Sequence, residues 1–488
     1  MQLNKLSILL APVLMALVLV LAVHTAQHKL FWADEGYDIC TLSGYSSSTL
    51  LLGQTVQPNN NPLYSLLQKA AITFSPHSTD DILISFRLVS IMSACLIVVS
   101  LYYFALGKFG IFGAVLGVLT LINQGLFFQF AAESRHYMLW LLCFTWLVIA
   151  TTSVCSQRYQ EVTLKKKITF FLACLANTLV ISMGAIQVLA AGCTCLLCWV
   201  FIYPNKDKSA SALKFSLLVM MLCLGLEVYY ASQHPSLYST YAGSPWDIIA
   251  NAQKGDYSLL KMPLRLLFPK PMGEAYLGIV VSNIFALAGL CVPFLYWKKK
   301  KELTKTESVV LALSIATLLQ ILATIVIAAI IIYTRFYFVQ RVFLYLIICD
   351  CFLTLIGVFV VCQFVSQRFL SQKYLSILKV VLTVVLMALA FRWQAENYQA
   401  EVKAEVNCEF TGNRLGEDLQ TMLNTNNVSC ARLNLVVEVS KRIKQCGWFP
   451  TSDFSKLSLW KDNTNVWYLT ERMPVDAKPF RGPFVDCK

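Results

Sequence analysis

The first long apolar stretch of the chain, residues 7–27, reads SILLAPVLMALVLVLAVHTAQ and contains no Asp, Glu, Lys or Arg. A helix of about 20 such residues spans the hydrocarbon core of a bilayer. About ten similar stretches follow, near 82–105, 109–130, 136–155, 168–184, 187–203, 212–231, 275–297, 307–333, 342–365 and 375–391. We therefore predict an α-helical polytopic membrane protein with about 11 transmembrane helices. The first stretch also fits a cleaved signal peptide, but we favour a retained helix.

The composition agrees with a membrane protein. Of the 488 residues, 57% are hydrophobic and 14% are charged, whereas soluble domains are about a quarter charged. A soluble multi-domain enzyme and a disordered chain are both excluded. The net charge is +13, and the residues before Arg392 include 27 basic and 15 acidic side chains. Basic charge placed among apolar stretches indicates basic cytoplasmic loops and not a nucleic-acid partner.

The loops between the apolar stretches alternate in charge. One set contains the basic residues Lys108, Arg158, Lys165–Lys167, Lys206, Lys208, Lys298–Lys301, Arg368 and Lys373. The other set contains the acidic residues Asp34, Glu35, Asp38, Asp80, Asp81, Glu133, Asp247, Asp256 and Glu274. By the positive-inside rule the N-terminus and the basic loops are cytoplasmic. We expect a bacterial inner (plasma) membrane protein whose acidic loops and C-terminal tail face the periplasm or the exterior.

Two domains are predicted. Residues 1–391 form a transmembrane domain with long outer loops at 28–81 and 232–274, and residues 392–488 form a small extracytoplasmic α/β domain. Strand-like stretches at Arg432–Val439 and Asn465–Leu469 support the mixed character of the tail. The tail cysteines Cys408, Cys430, Cys446 and Cys487 suggest two disulfides, for which three pairings are open.

Two polar segments lie at the predicted outer surface. Asp34-Glu35 follows the first apolar stretch directly, and Glu133-Ser134-Arg135-His136-Tyr137 forms a very short connection between two apolar stretches. Taken singly, the first fits a solvated loop start and the second fits an ordinary polar turn. A short turn leaves its charged side chains little room, so they point along the surface or into the helix bundle.

Two further segments make the pattern more specific, namely Asn60-Asn61-Pro62-Leu63-Tyr64 and Arg87-Leu88-Val89-Ser90. Together, the four segments resemble the GT-C superfamily of membrane glycosyltransferases, in the bacterial branch related to protein O-mannosyltransferases and lipid A aminoarabinose transferases. The resemblance covers about the first 155 residues, and Gln340-Arg341-Val342-Phe343 adds a weaker match. The chain departs from the family pattern at Asn60, Asn61 and His136, where the family has His, Pro and Pro.

The resemblance implies an inverting glycosyltransferase that moves a sugar from a polyprenyl-phosphate donor to a hydroxyl acceptor on the extracytoplasmic face. Asp34 is the candidate base, with Glu35 and Glu133 beside it as candidate catalytic groups. The candidates for binding the donor phosphate are Arg135, Arg341, Lys261, Arg265 and Lys270. Supporting candidates are Tyr37, Asn60, Tyr64, Tyr137 and Glu227.

Glu35 and Glu133 are also candidate ligands of a divalent cation, Mg²⁺ or Mn²⁺, with orientation of Arg135 and the acceptor as the alternative role. The expected partners are the lipid-linked sugar, a hydroxyl acceptor of open class and the bilayer. The predicted surface helix Leu63–Phe74 and the segment Leu264–Phe268 are candidates to line a groove for the lipid chain. A transporter or lipid flippase is the alternative function, and a non-catalytic scaffold or receptor is a third. The one-sided distribution of acidic residues and long loops favours the enzyme over alternating access.

Overall fold

The computed structural model describes residues 5–28, 45–54, 61–74, 82–156, 162–181, 183–201, 206–233, 258–269, 276–297, 303–334 and 340–368. It also describes separate positions between 374 and 385 and the segments 458–461 and 467–470. The chain divides into two compact units. The first unit comprises Met1–Val18, Ser93–Phe127 and Tyr137–Gln394, and the second comprises Leu19–Met92, Phe128–His136 and Ala395–Lys488.

The described part of the chain is mainly helical. The helices are α1 Lys5–His28, α2 Ser47–Leu51, α3 Pro62–Phe74, α4 Ile82–Ile122, α5 Gly125–Ala131, α6 Tyr137–Cys155, α7 Leu164–Val180 and α8 Gly184–Phe201. They continue as α9 Lys206–Gln233, α10 Ser258–Leu267, α11 Tyr276–Leu290, α12 Val292–Trp297, α13 Lys305–Thr334 and α14 Leu346–Arg368. A 3₁₀ turn, Gln340–Phe343, precedes α14.

Seven of the described helices are long and apolar enough to cross a membrane: Ile8–Ala26, Phe86–Ile122, Tyr137–Cys155, Ala210–Gln233, Gly278–Tyr296, Lys305–Ile330 and Arg341–Arg368. Gly184–Val200 is a shorter apolar helix. The prediction of a helical membrane protein is confirmed. The count of about 11 spans stays a prediction, and most of the predicted stretch 375–391 lies outside the described residues.

The second and third predicted spans, 82–105 and 109–130, correspond to two helices that meet at Gly110 within α4. The later of the two ends at Ile122, before the predicted end at 130. Gly110 has φ 76°, in a region that residues with a Cβ atom rarely adopt. The third stretch is interrupted at Asn123 and Gln124, before the short helix α5. The hydropathy pattern does not show the break at Asn123 and Gln124, because the residues on either side are apolar.

Helices α11 and α14 of the first unit approach each other through a reciprocal pair of glycines. A Cβ atom on Gly357 of α14 would lie 1.8 Å from the carbonyl oxygen of Phe285 on α11. A Cβ atom on Gly289 of α11 would lie 2.3 Å from the carbonyl oxygen of Leu353 on α14. Each glycine stands one helical turn after the carbonyl residue of its own helix. This spacing is the small-residue contact by which helices pack in membranes.

Three lysines of the first unit lie close together near predicted cytoplasmic ends of helices. Burial, together with the nearby charges of Lys108 and Lys305, lowers the pKa of Lys166. The three residues come from separate regions of the chain, at 108, 166 and 305. The side of the membrane on which they lie stays a prediction.

The described part of the second unit contains the C-terminal end of α1, helices α2 and α3, and the beginning of α4. Helix α2 packs against α3, and Lys69 Nζ donates to the carbonyl oxygen of Tyr45. The tail contributes the antiparallel strands β1, Ser458–Lys461, and β2, Trp467–Thr470. Strand β2 overlaps the predicted strand Asn465–Leu469. The rest of the predicted domain, with Arg432–Val439 and the four tail cysteines, lies outside the described residues.

Candidate functional site in the second unit

The turn Ala132–His136 is tightly closed by its own backbone. The amide of Glu133 donates to the carbonyl of Phe130 at 3.3 Å, and the amide of Arg135 donates to the carbonyl of Glu133 at 2.9 Å. Glu133 is buried, with 6% of its surface exposed, whereas Arg135 is half-buried. A buried carboxylate is costly unless polar groups surround it. The turn therefore presents one buried acidic group and one accessible cationic group two residues apart.

Ser134 connects this turn to two other elements. Its hydroxyl donates to the carbonyl of Phe86 on α4 at 2.7 Å and accepts from Gln68 Nε2 on α3 at 2.9 Å. The Tyr64 hydroxyl lies 3.3 Å from the same oxygen. Because the single proton of Ser134 goes to Phe86, Tyr64 must be the donor in this pair. Ser134 is fully buried, so its three hydrogen bonds are made away from water, where their loss is costly.

The turn is also held by a hydroxyl of the segment Arg87–Ser90 and by an aromatic contact with α3. Ser90 Oγ on α4 donates to the carbonyl of Arg135 at 3.1 Å. The ring of His136 meets the ring of Tyr64 edge to face, with centroids 6.3 Å apart. Described parts of three of the four family-like segments thus lie in direct contact within one unit. We call this set, Tyr64, Gln68, Phe86, Ser90 and Ser134–His136, the turn cluster.

Helix α3 buries a polar face. Tyr64, Ser65 and Gln68 are at most 3% exposed, while Leu67 is 40% exposed. Gln68 Nε2 also donates to the carbonyl of Phe86 at 2.7 Å, so its amide is fixed by two acceptors. The role predicted for this helix as a wall of a lipid groove therefore does not extend to its buried face. That face holds the turn, and only the exposed apolar side is available to lipid.

Arg87 anchors the end of α1. Its guanidinium is fully buried and donates to the carbonyl oxygen of Ala26, one of the last four carbonyls of α1, which have no partner within the helix. A cation at this position also interacts favourably with the negative end of the helix dipole. Asp34 follows α1 by six residues in the sequence. Arg87 thus holds the helix from which the segment with the candidate base departs.

The first unit places two other candidates together. The Arg341 guanidinium lies over the ring of Tyr137, 6.0 Å from its centroid. Arg265 is exposed on α10, and Glu227 is half-buried on α9. Helix α10 packs against α14 and the 3₁₀ turn that contains Arg341. The roles of Arg341 and Arg265 in binding the donor phosphate stay predictions.

Several predicted site residues cannot be placed. Asp34, Glu35, Tyr37, Asn60 and Lys270 lie outside the described residues, and Lys261 is described only in its backbone. In the part of the chain that the structure describes, no set of three His, Cys, Asp or Glu side chains could hold a metal ion. Because Glu35 lies outside the described residues, the site for Mg²⁺ or Mn²⁺ at Glu35 and Glu133 stays a prediction.

No family model and no curated protein sequence matches the chain, and the solved structures that are similar to it are distant. An Archaeoglobus fulgidus oligosaccharyltransferase, in complex with Zn and sulfate, is 12% identical over 78% of this chain and 52% of its own, with a TM-score of 0.48. AglB from the same organism, with an inhibitory peptide and a dolichol-phosphate, is 11% identical over 81% and 56%, with a TM-score of 0.48.

A third structure is ArnT from Cupriavidus metallidurans, bound to undecaprenyl phosphate. It is 11% identical over 74% of this chain and 81% of its own, with a TM-score of 0.29. These neighbours are GT-C membrane glycosyltransferases. The chain spans 52% and 56% of the lengths of the two archaeal structures.

Sequence reasoning missed the role of two residues in the turn cluster. The segment Glu133–Tyr137 contains Ser134, but the sequence pattern predicts no function for it. The same pattern places Gln68 on an apolar surface helix. A signal for Gln68 does exist in the sequence. Tyr64 and Gln68 are four residues apart and so share one helix face, which is polar on an otherwise apolar helix.

Proposed function

We propose that the protein is a membrane glycosyltransferase that moves a sugar from a polyprenyl-phosphate carrier to a hydroxyl acceptor, with inversion at the anomeric carbon. The observation that carries the proposal is the hydrogen bonding of Ser134 to Phe86, Gln68 and Tyr64. It joins segments that are far apart in sequence and whose order resembles that of the GT-C enzymes. A transporter or a scaffold has no need for a buried acid and an accessible arginine on one rigid turn.

The proposed reaction is a single displacement. The acceptor oxygen attacks the anomeric carbon while its proton passes to the carboxylate of Asp34. The bond between the anomeric carbon and the phosphate oxygen breaks, and polyprenyl phosphate leaves as an anion. Arg135 stabilises the charge that develops on this phosphate. Arg341 has the same proposed role from the sequence resemblance, and Tyr137 holds its guanidinium by a cation–π contact.

Glu133 has a proposed orienting role. Its burial and the backbone bonds of its turn fix the carboxylate relative to Arg135, two residues away. Preorganised charge of this kind lowers a barrier because it needs no rearrangement when the reaction occurs. The sugar donor arrives dissolved in the bilayer, so a nucleotide-binding site is not expected.

The experiment uses the full-length protein in lipid nanodiscs. A panel of undecaprenyl-phosphate hexoses and pentoses is supplied, and protein, lipid and glycan acceptors are tested in turn for release of free undecaprenyl phosphate. Asp34→Asn should lower turnover by about 10²–10⁴-fold, the usual contribution of a general base. Asp38→Asn is the matched control, because it removes a carboxylate four positions further along the same loop.

The two variants separate the outcomes. Loss of turnover in Asp34→Asn with an unchanged unfolding midpoint, and retention in Asp38→Asn, supports the assignment. Turnover in Asp34→Asn within a few-fold of the parent protein contradicts it. Movement of a labelled lipid-linked sugar across a vesicle without bond cleavage would identify the alternative, a transporter or flippase.

A further inference from the structure

A cluster of buried amides joins four helices of the first unit. Gln187 of α8 lies at its centre. Trp140 Nε1 of α6 and Asn177 Nδ2 of α7 donate to Gln187 Oε1 at 2.9 and 2.8 Å. Gln320 Nε2 of α13 donates to the main-chain carbonyl of Gln187 at 2.8 Å. All four side chains are at most 1% exposed, in a region where polar groups are expensive unless they are paired.

The hydrogen bonds determine which way each amide points. Two N–H donors converge on Gln187 Oε1, so its Nε2 occupies the other position. Asn177 Nδ2 donates to the carbonyl of Gly184 at 3.2 Å as well as to Gln187. Gln320 Nε2 meets a carbonyl. Exchanging nitrogen and oxygen in any of these amides would oppose two donors or two acceptors.

Three polar atoms of the cluster have no hydrogen-bond partner within the described part of the chain. They are the donor Gln187 Nε2 and the acceptors Asn177 Oδ1 and Gln320 Oε1. Each belongs to Gln187 or to an amide bonded directly to it. Buried polar groups of folded proteins are nearly always satisfied by protein or by ordered water. A single occupant that satisfied all three atoms would accept one hydrogen bond and donate two.

We propose that the cluster binds one internal water molecule, which accepts from Gln187 Nε2 and donates to Asn177 Oδ1 and Gln320 Oε1. Water is the small species that offers these functions together, and three hydrogen bonds are typical of a buried water. A metal cation or an ammonium ion could not accept from Gln187. Beyond Trp140 the surroundings are aromatic, because the ring of Tyr345 lies 5.5 Å from that of Trp140 and 5.2 Å from that of Phe144.

The water completes a connection between α6, α7, α8 and α13. Without it, Gln320 would contact Gln187 only through the main chain, and Asn177 and Gln320 would have no link. A water-mediated hydrogen bond is nearly as favourable in enthalpy as a direct one. The water is therefore a structural ligand of the membrane helices and is independent of the proposed glycosyl transfer.

The test is a cryo-EM map of the full-length protein in lipid nanodiscs that resolves ordered water. We expect one compact density peak about 2.7–3.2 Å from each of the three atoms. Gln320→Met should remove the peak and lower the unfolding midpoint by about 2–4 °C. Thr317→Val is the control, because the Thr317 hydroxyl of the same helix donates locally to the Leu313 carbonyl at 2.8 Å, and the peak should remain.

Two results would overturn the proposal. One is a parent map with no peak at this position, and the other is a peak that survives in Gln320→Met. The parent map decides by itself if the Gln320 variant fails to fold.

Discussion

Replacement of Ser134 by Ala tests whether the turn cluster is held as the structure describes. The change removes one buried hydroxyl that takes part in three hydrogen bonds. Each buried hydrogen bond contributes about 0.5–1.5 kcal/mol net, so the three bonds together contribute about 2–4 kcal/mol. Phe86 still accepts a hydrogen bond from Gln68, whereas the Tyr64 hydroxyl and one N–H of Gln68 lose Ser134 as an acceptor. We expect a loss of about 2 kcal/mol, within this range.

The consequences are measured in two ways. The unfolding midpoint, recorded at a fixed scan rate, should fall by about 4 °C. Turnover should fall at least tenfold, because a displaced turn moves Glu133 and Arg135 together, and about 1.4 kcal/mol of lost transition-state stabilisation suffices for that factor.

Two companion variants make the comparison specific. Gln68→Met removes two donated hydrogen bonds. It also removes Gln68 Oε1, a buried acceptor with no hydrogen-bond partner in the described structure. The free energy of unfolding should therefore fall by less than in Ser134→Ala. Ser314→Ala removes a fully buried hydroxyl that likewise has no such partner among the described residues, and it should leave the midpoint unchanged or raise it. If Ser134→Ala matches Ser314→Ala in both midpoint and turnover, the turn is not held by Ser134.

Three further predictions concern other contacts. Arg87→Met removes the donor to the Ala26 carbonyl, so it should lower the unfolding midpoint and reduce stability by about 1–3 kcal/mol. Arg87→Lys should reduce stability less. Equal midpoints for the parent and Arg87→Met would exclude the anchoring role. Arg341→Lys should raise the KM for the polyprenyl-phosphate donor about fivefold to tenfold, whereas Tyr137→Phe, which keeps the ring, should change this KM little. A larger rise in KM for Tyr137→Phe than for Arg341→Lys would show that the Arg341 contact does not serve the donor. Gly357→Ala should destabilise the protein by about 1–3 kcal/mol because its Cβ atom meets the Phe285 carbonyl. Gly225 has open space around it, so Gly225→Ala should stabilise α9 by up to about 1 kcal/mol. Equal effects of the two variants on thermal unfolding would contradict the close helix contact.

The positions of the membrane helices could be predicted well because hydropathy is a local property of the chain. The stretch 7–27 predicts a helix that the structure describes at Ile8–Ala26, and 136–155 corresponds to Tyr137–Cys155. The break at Asn123 was not predictable in this way. A break depends on how the two halves pack, and the apolar character of the neighbouring residues does not reveal it.

The four polar segments could be identified from the order of residues along the chain. Their mutual contacts could not. Ser134 meets Gln68 across 66 positions and Phe86 across 48, and α3 turns its polar face inward to make these bonds. A hydrogen bond requires a distance and a direction between two atoms, and a sequence pattern specifies neither for residues so far apart. Only the packing of α3, α4 and the turn brings donor and acceptor into register.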